Sequence, residues 1–145
     1  DLIKAIEEKF SQKVLLISAE VEEELIDFTQ DERKSYLEGL GEARSALERL
    51  IVFAYDILDL ISFYTIKGGK EVHAWSIKRG ANALEAAGVV HTDFAKNFIK
   101  AEVINVEELL STGGWKESKD KGKVRLEGKD YLVQEKDVIE FKVGS

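Results

Sequence analysis

The sequence contains no cysteine, no methionine and no proline in 145 residues. Without cysteine it has no disulfide framework, no thiolate nucleophile and no zinc site of the usual cysteine type. No apolar run approaches the roughly 20 residues that span a bilayer, and the N-terminus lacks the basic and apolar segments of a secretion signal. These absences predict a cytoplasmic protein with no membrane role. Because the sequence begins at Asp1 without methionine, we expect the natural gene product to start further upstream.

Charge is distributed unevenly along the chain, although the total is −7 at pH 7. Residues 1–61 carry 15 acidic and 7 basic side chains, a net of −8, whereas residues 62–145 carry 13 acidic and 14 basic, a net of +1. A net negative charge argues against non-specific binding to nucleic-acid phosphates, but a locally basic face on the second half is compatible with that net charge. Solvated surface charge is the simpler interpretation of the same numbers.

Residues 1–61 have a mainly helical pattern that one short apolar run interrupts. Apolar residues at helical spacing over 2–10 predict a helix, and the continuous run Val14–Ile17 is typical of a buried parallel strand. Two capping boxes are predicted to open later helices: Thr29 with Glu32, and Ser45 with Glu48. The helix that begins at Ser45 has apolar residues spaced by threes and fours as far as Ile61, so we expect it to pack on something large.

In residues 62–145 the spacing of apolar residues changes from a helical pattern to the pattern of extended strands. Strands are predicted at Phe63–Ile66, Val72–Ile77, Phe98–Ile104, Val124–Leu126, Tyr131–Val133 and Val138–Val143. The run Lys67-Gly68-Gly69-Lys70 predicts a hairpin connection, in which the glycines supply positive φ. Asn82 with Glu85 predicts the cap of a short helix, and Lys116–Lys123 is predicted to be a polar connection. A hairpin, a helix laid across it and a returning set of strands is the ubiquitin-like, or β-grasp, arrangement.

Motifs that would carry chemistry are scarce. No G-x-x-x-x-G-K-[ST] loop is present, because Gly68-Gly69-Lys70 lacks the upstream glycine and the strand-to-helix context that cradles phosphates. No nucleophile and base pair stands out, and His73 and His91 are spaced too far apart for a usual metal site. We therefore predict no catalytic residue and no metal site in this chain, and no tight binding of ATP by the chain alone.

Five stretches, in order, are similar to the TGS domain of the Obg-like ATPases of the YchF type. They are Leu60–Thr65 (LISFYT), Lys70–Trp75 (KEVHAW), Ala86–Phe94 (AAGVVHTDF), Phe98–Ile104 (FIKAEVI) and Leu126–Tyr131 (LEGKDY). The first half resembles the family less specifically, through an apolar strand, a Ser-Ala-Glu turn, an acidic helix and a long helix. The resemblance covers nearly the whole chain.

The resemblance implies an α+β chain of two parts: the end of a truncated P-loop nucleotide-binding domain at 1–61, with one strand left, and a TGS β-grasp domain at 62–145. The last base-contacting loop of the nucleotide-binding domain corresponds to Ser18-Ala19-Glu20, whose backbone N–H groups would meet a base edge. A plain helix cap by Ser18 is the structural alternative. ATP or GTP with Mg²⁺ is implied for the full-length parent, and none is expected in this chain.

The resemblance also implies a partner in translation: the ribosome or its RNA, or a translation-related protein, besides the upstream domain. The candidate RNA- or partner-binding residues are Lys78, Arg79, His91, Lys96 and Lys100. Lys78 and Arg79 end one strand while Lys96 and Lys100 flank the start of another, so we hypothesise that the fold brings them to one basic face. For His91-Thr92-Asp93, a helix cap by Thr92 is an equally good explanation.

Two other function classes stay open. The chain is alternatively a free-standing ubiquitin-like interaction domain with a helical prefix, which would use exposed sheet edges or an apolar patch and need no nucleotide. An unrecognised hydrolase would need a pocket with perturbed ionisable groups, which the sequence does not indicate. A P-loop in the upstream coding sequence selects the ATPase interpretation.

Overall fold

The computed structural model describes residues 2–144 and contains a mixture of helices and strands. It divides into two compact units, the first ending at Ile57 and the second beginning at Leu58. The division lies shortly before the predicted boundary between residues 61 and 62. None of the helices formed by the described residues is long and apolar enough to cross a membrane.

The first unit is helical. Its helices are α1 (Leu2–Phe10), α2 (Ala19–Glu24), α3 (Gln30–Gly39) and α4 (Ala46–Ile57), with a 3₁₀ turn at Leu25–Asp27. The predicted capping box at α3 is confirmed, because Thr29 Oγ1 accepts a hydrogen bond from the Glu32 backbone while the Glu32 carboxylate accepts one from Thr29 N–H. At the start of α4, the Ser45 hydroxyl accepts a hydrogen bond from Glu48 N–H at 3.3 Å. Local hydrogen bonds therefore define where these helices begin.

The predicted strand at Val14–Ile17 is wrong, because these residues form neither strand nor helix. A strand needs a neighbour whose N–H and C=O groups complete its hydrogen bonds, and residues 2–57 contain no strand. Leu16 and Ile17 are instead 66% and 42% exposed. Residues 14–17 thus have the composition of a buried strand, but residues 2–57 contain no strand with which they could pair.

The first unit buries little apolar surface. Its buried apolar residues are Leu25, Leu37 and Ala46. The stripe of α4 that was expected to pack on something large is exposed, with Leu47 at 62% and Ile51 at 51%. The helix also ends at Ile57 instead of continuing to Ile61, which belongs to the next element.

The second unit contains one five-stranded sheet. Its strands are β1 (Leu60–Lys67), β2 (Glu71–Lys78), β3 (Phe98–Asn105), β4 (Arg125–Glu127) and β5 (Asp137–Val143). They lie in the order β2-β1-β5-β3-β4, with β1 and β5 parallel and the other neighbours antiparallel. The predicted hairpin between β1 and β2 is confirmed, since Gly68 and Gly69 have φ of 58° and 73° and the strands pair without interruption from Lys67↔Glu71 to Leu60↔Lys78.

One face of the sheet, here called the α5 face, carries the main core. Helix α5 (Ala83–Val90) begins at the predicted Asn82–Glu85 capping box and buries Ala83, Ala86 and Ala87. Small residues let the helix lie close to the sheet, where Phe63, Val103 and Ile139 are fully buried. A short helix, α6 (Thr92–Lys96), leads into β3.

The opposite face, here called the α8 face, is partly covered by two helices, α7 (Val106–Thr112) and α8 (Trp115–Asp120). The prediction of a polar connection over 116–123 is wrong for most of its length, because α8 occupies it. Gly113 and Gly114, with φ of 100° and 131°, reverse the chain, and Trp115 anchors the helix in a cluster with Ile66, Ile104 and Val138. Burial of the Trp115 indole thus stabilises a helix whose other residues are mostly polar.

A second predicted strand, Tyr131–Val133, is also wrong. This segment makes one isolated bridge, between Leu132 and Asn82, and no ladder. Its backbone instead forms a hydrogen bond with the first residue of α5, because Tyr131 C=O accepts from Ala83 N–H at 2.8 Å. Short apolar runs do not distinguish a strand from a packed loop.

Candidate functional site

The Ser18-Ala19-Glu20 turn forms the beginning of α2. Ser18 Oγ accepts a hydrogen bond from Val21 N–H at 3.4 Å, and Ser18 C=O accepts from Glu22 N–H at 3.2 Å. Ala19 and Glu20 form the first turn of the helix. Ser18 therefore has the capping role that was the structural alternative, and a contact of the turn with a nucleotide base stays a prediction.

The cations at the end of β2 are engaged within the second unit. Lys78 Nζ donates to Leu58 C=O at 2.6 Å. Arg79 Nε donates to Asp59 Oδ1 at 3.2 Å, and Arg79 N–H donates to Asp59 C=O at 2.8 Å. Asp59 has a positive φ of 50°, so these contacts hold the chain in a tight turn just before β1. Both side chains thus have a structural explanation.

His91 and Lys96 converge on one carboxylate at α6. His91 is the N-cap of the helix, because its Nδ1 accepts from Asp93 N–H at 3.2 Å. The expectation that Thr92 is the cap is therefore wrong. Lys96 Nζ lies 3.5 Å from Asp93 Oδ1, and all these side chains are exposed. The exposed pair contributes little to stability because solvent screens it.

The sheet register separates the predicted basic residues into two groups. Lys100 pairs with Lys142 of β5. Since Thr65 of β1 pairs with Ile139 of β5, Lys142 is level with residue 68, in the hairpin turn. Lys78 pairs with Leu60, at the other end of β1. At about 3.3 Å per residue, Lys78 and Lys100 lie at opposite ends of the sheet, roughly 26 Å apart along the strands.

An ionic network that sequence reasoning missed lies on the α8 face. Its members are Glu102, Lys119, Glu140 and Lys142. Lys119 Nζ lies 2.5 Å from a Glu102 oxygen and Lys142 Nζ lies 2.9 Å from a Glu140 oxygen. The antiparallel register of β3 and β5 places Glu102 opposite Glu140, and Lys119 and Lys142 each contact both carboxylates, which offsets the repulsion of like charges that face each other.

The network shifts the titration of two of its members. Burial alone would raise the pKa of Glu140, but hydrogen bonds from Lys142 and Gly68 N–H and the charges of Lys142 and Lys119 outweigh burial, so the pKa lies below its ordinary value. Burial opposes the charge on Lys142 as well, yet Glu140 and Glu102 raise its pKa above the ordinary value. Both groups are therefore charged at neutral pH, and the network is balanced.

A second missed cluster surrounds Asp137, which is only 2% exposed. Asp137 Oδ2 accepts from Tyr131 OH at 2.7 Å and from Gln134 N–H at 2.9 Å, and Arg125 donates to the Tyr131 oxygen at 3.0 Å. Burial raises the pKa of Asp137, although these hydrogen bonds and the charge of Arg125 act in the opposite direction. Burial and the Asp137 contact also raise the pKa of Tyr131 above its ordinary value of 10.

The chain's own residues offer limited support for a nucleotide. Among residues 2–144, no three His, Asp or Glu side chains converge as a metal site. The Asp137 cluster closes a loop, because Asp137 accepts hydrogen bonds from both Tyr131 and Gln134.

Comparison with known proteins identifies relatives for nearly the whole chain. The YchF-GTPase_C family model, described as "Protein of unknown function (DUF933)", matches residues 60–144. The "Ribosome-binding ATPase YchF" of Bacillus subtilis is 43% identical over 130 residues, which are 90% of this chain and 35% of that protein. The protein of the same name from Pasteurella multocida is 42% identical over 142 residues, 98% of this chain and 39% of that protein.

Two solved structures are similar. The structure of the Schizosaccharomyces pombe YchF GTPase has a TM-score of 0.83 at 33% identity, covering 97% of this chain and 37% of that chain. A GTP binding protein from Pyrococcus horikoshii OT3 has a TM-score of 0.64 at 24% identity, covering 98% of this chain and 41% of that chain, and supports the fold alone. The chain thus spans only about two fifths of the length of these relatives. Because the C-terminal family model covers more than half of it, the chain belongs to the YchF family.

Proposed function

We propose that the chain is the ribosome-docking part of a YchF nucleotide hydrolase, in which the second unit is the docking module and hydrolysis occurs in an upstream domain. The observation that carries this proposal is the identity of 43% and 42% with proteins named ribosome-binding ATPases, over 90% and 98% of the chain. ATP or GTP with Mg²⁺ is proposed for the whole protein. A ribosomal partner implies the cytoplasm as its location.

Residues 62–145, which make up most of the second unit, are proposed to be a TGS domain of the β-grasp class. A β-hairpin, a helix across one face and a returning parallel strand beside the first strand support this assignment. The strand β5 lies between β1 and β3, so the first and last strands are central. That arrangement leaves β2 and β4 as the edges and the α8 face only partly covered.

Residues 1–61 are proposed to be the end of the nucleotide-binding domain. The exposed apolar stripe of α4 and the exposed run at Leu16 and Ile17 support it, because a unit that leaves such surface in water gains little from folding by itself. An upstream sheet would pair with 14–17 and cover α4. In that setting the turn at Ser18-Ala19-Glu20 would face the nucleotide base.

The direct experiment is co-sedimentation of the 145-residue chain with purified ribosomes through a sucrose cushion. The proposal expects the chain in the ribosome pellet, in saturable amounts and without added nucleotide, because docking does not require the upstream domain. A matched control is a chain with Phe63→Ala, which opens a cavity in the core of the second unit. A chain that stays in the supernatant at every concentration would refute the proposal.

A second candidate function is favoured by the edge strand β2. Its residues Glu71, Val72, His73 and Ala74 are all exposed, and an exposed edge accepts an added strand from a protein partner. This matches the alternative of a free-standing ubiquitin-like interaction domain that needs no nucleotide. The upstream coding sequence separates the two, since a P-loop there selects the ATPase.

A further inference from the structure

The hairpin end of the second unit gathers lysines from three parts of the chain. Lys67 and Lys70 flank the β1–β2 turn, and Lys142 of β5 is level with this turn, beside Lys100 of β3. Helix α8 begins at the same place, because a Cβ on Gly69 would lie 3.4 Å from Trp115 Cβ. The next residue in α8 is Lys116, which is exposed. Residues distant in sequence therefore meet at one end of the sheet.

Most of these lysines have no acidic partner. Within residues 2–144, Lys67, Lys70, Lys100 and Lys116 take part in no salt bridge. Lys142 and Lys119 balance Glu102 and Glu140 in the ionic network, so those carboxylates do not cancel the four others. Glu71 lies opposite Lys67 in the hairpin and Glu117 lies beside Gly114. Four lysines against these two carboxylates leave a local excess of positive charge on a chain of net charge −7.

At the opposite end of the sheet, the basic side chains already have hydrogen-bond partners. Its cations Lys78 and Arg79 are bonded to Leu58 C=O and to Asp59. A cation that already donates to a backbone carbonyl or a carboxylate must exchange that partner for a phosphate, so it gains less from binding. The two ends thus provide a comparison within one domain.

We propose that the hairpin end, defined by Lys67, Lys70, Lys100 and Lys116, binds the phosphate backbone of RNA, and that Lys78 and Arg79 do not. The inference rests on the proposed ribosome docking and specifies the contact. Lysine presents a point charge on a flexible stem, which suits phosphate oxygens without reading a base sequence. Binding is therefore expected to be insensitive to sequence and to weaken steeply with salt.

The test compares two charge reversals of equal size. One chain carries Lys67→Glu and Lys70→Glu, and the other carries Lys78→Glu and Arg79→Glu. Binding of each to ribosomes and to a single-stranded polyuridine RNA is measured across a salt series. The hairpin-end variant is expected to lose about tenfold or more in affinity for both probes, with a salt slope smaller by about two, one for each lost phosphate contact. The other variant should keep the parental slope.

The outcomes separate this inference from the proposed function. If the parent chain binds ribosomes but the hairpin-end reversal changes neither affinity nor slope, the inference is wrong and docking stands. If the reversal weakens ribosome binding but leaves polyuridine binding unchanged, an acidic protein surface is the partner and RNA is refuted. Equal losses from both reversals would show a general charge effect, which also contradicts the proposal.

Folding of the variants is checked by tryptophan fluorescence, since both tryptophans, at 75 and 115, lie in the second unit. If the double reversal does not fold, Lys70→Gln and Lys100→Gln provide a second pair. Lys70 lies in the turn, outside the β1–β2 pairing. Each single change should lower the salt slope by about one, and unchanged slopes in both would overturn the proposal.

Discussion

Replacing Asp137 by alanine is predicted to destabilise the second unit by about 2 to 3 kcal/mol. The carboxylate is 2% exposed and accepts hydrogen bonds from Tyr131 OH and Gln134 N–H. Removing it leaves both donors without their acceptor, and each unmade bond costs about 1 to 3 kcal/mol when buried. The lower part of that range applies because Gln134 is exposed, so water reaches its surroundings.

A double-mutant cycle isolates the contact between the two side chains. Tyr131→Phe removes the hydroxyl but keeps the ring, and it is predicted to cost about 1 to 2 kcal/mol. Because Tyr131 and Asp137 share a hydrogen bond of 2.7 Å, the two losses should not add, and a coupling of about 1 kcal/mol is expected. Asp137→Asn keeps one acceptor oxygen and serves as the matched control, with a smaller loss than alanine.

The pH dependence has a defined sign. The pKa of Asp137 in the folded chain is raised by burial above its ordinary value of 3.8, so the folded state binds the proton more tightly than the unfolded state. The contribution of the carboxyl to stability is therefore fully present below about pH 3.8 and decreases as the pH rises through the raised folded pKa. The loss caused by Asp137→Ala should accordingly be larger in acid than at about pH 8.

The assay is urea unfolding followed by tryptophan fluorescence, because Trp75 and Trp115 both report on the second unit. The free energies of unfolding of the parent, Asp137→Ala, Asp137→Asn and Tyr131→Phe are compared at several pH values. A loss under about 0.5 kcal/mol for Asp137→Ala, equal to an ordinary surface change, would refute the reasoning. So would a loss that grows as the pH rises.

Three further predictions concern local structure and ligand binding. Asn82→Ala should cost the second unit about 1 kcal/mol by removing the cap of α5, whereas Asn82→Ser should retain most of it in the same urea assay. Gly69→Ala and Gly122→Ala should each cost about 1 to 2 kcal/mol because both glycines have positive φ; a Cβ on Gly69 would meet Trp115 Cβ at 3.4 Å, an ordinary contact, so a loss at neither position would contradict the argument from backbone strain. The 145-residue chain should not bind ATP tightly in calorimetry, and micromolar binding abolished by changing Ser18 or Glu20 would overturn that expectation.

Features set by neighbouring residues were predictable from the sequence. The capping boxes at Thr29 and Asn82 need only the residue three positions later, and the hairpin at Gly68-Gly69 needs only positive φ. These signals do not depend on what the chain contacts elsewhere. The helices and strands that they begin or join are therefore the reliable part of the sequence-based description.

Features that depend on distant partners were not predictable in the same way. The run Val14–Ile17 has strand composition, but residues 2–57 provide no strand for it to pair with. Helix α8 has a polar sequence and forms because Trp115 is buried against Ile66, Ile104 and Val138. In both cases tertiary contacts, or their absence, override the local pattern.

The candidate site shows the same division. The sequence identified Lys78, Arg79, Lys96 and Lys100 as basic residues near strand ends, but it did not reveal which ends meet. That answer comes from the parallel pairing of β1 with β5, which brings Lys142 level with the hairpin and leaves Lys78 at the opposite end. A crossover of this kind joins residues more than seventy positions apart, beyond the reach of local periodicity.

The measurement that tests the central claim most directly is hydrogen–deuterium exchange of the 145-residue chain, free and bound to purified ribosomes. Docking through the second unit predicts slower exchange on binding in peptides that cover the β1–β2 turn and the ends of β3 and β5, with peptides from residues 2–57 unchanged. Protection confined to residues 2–57, or no protected peptide in the second unit of a chain that sediments with ribosomes, would contradict the account.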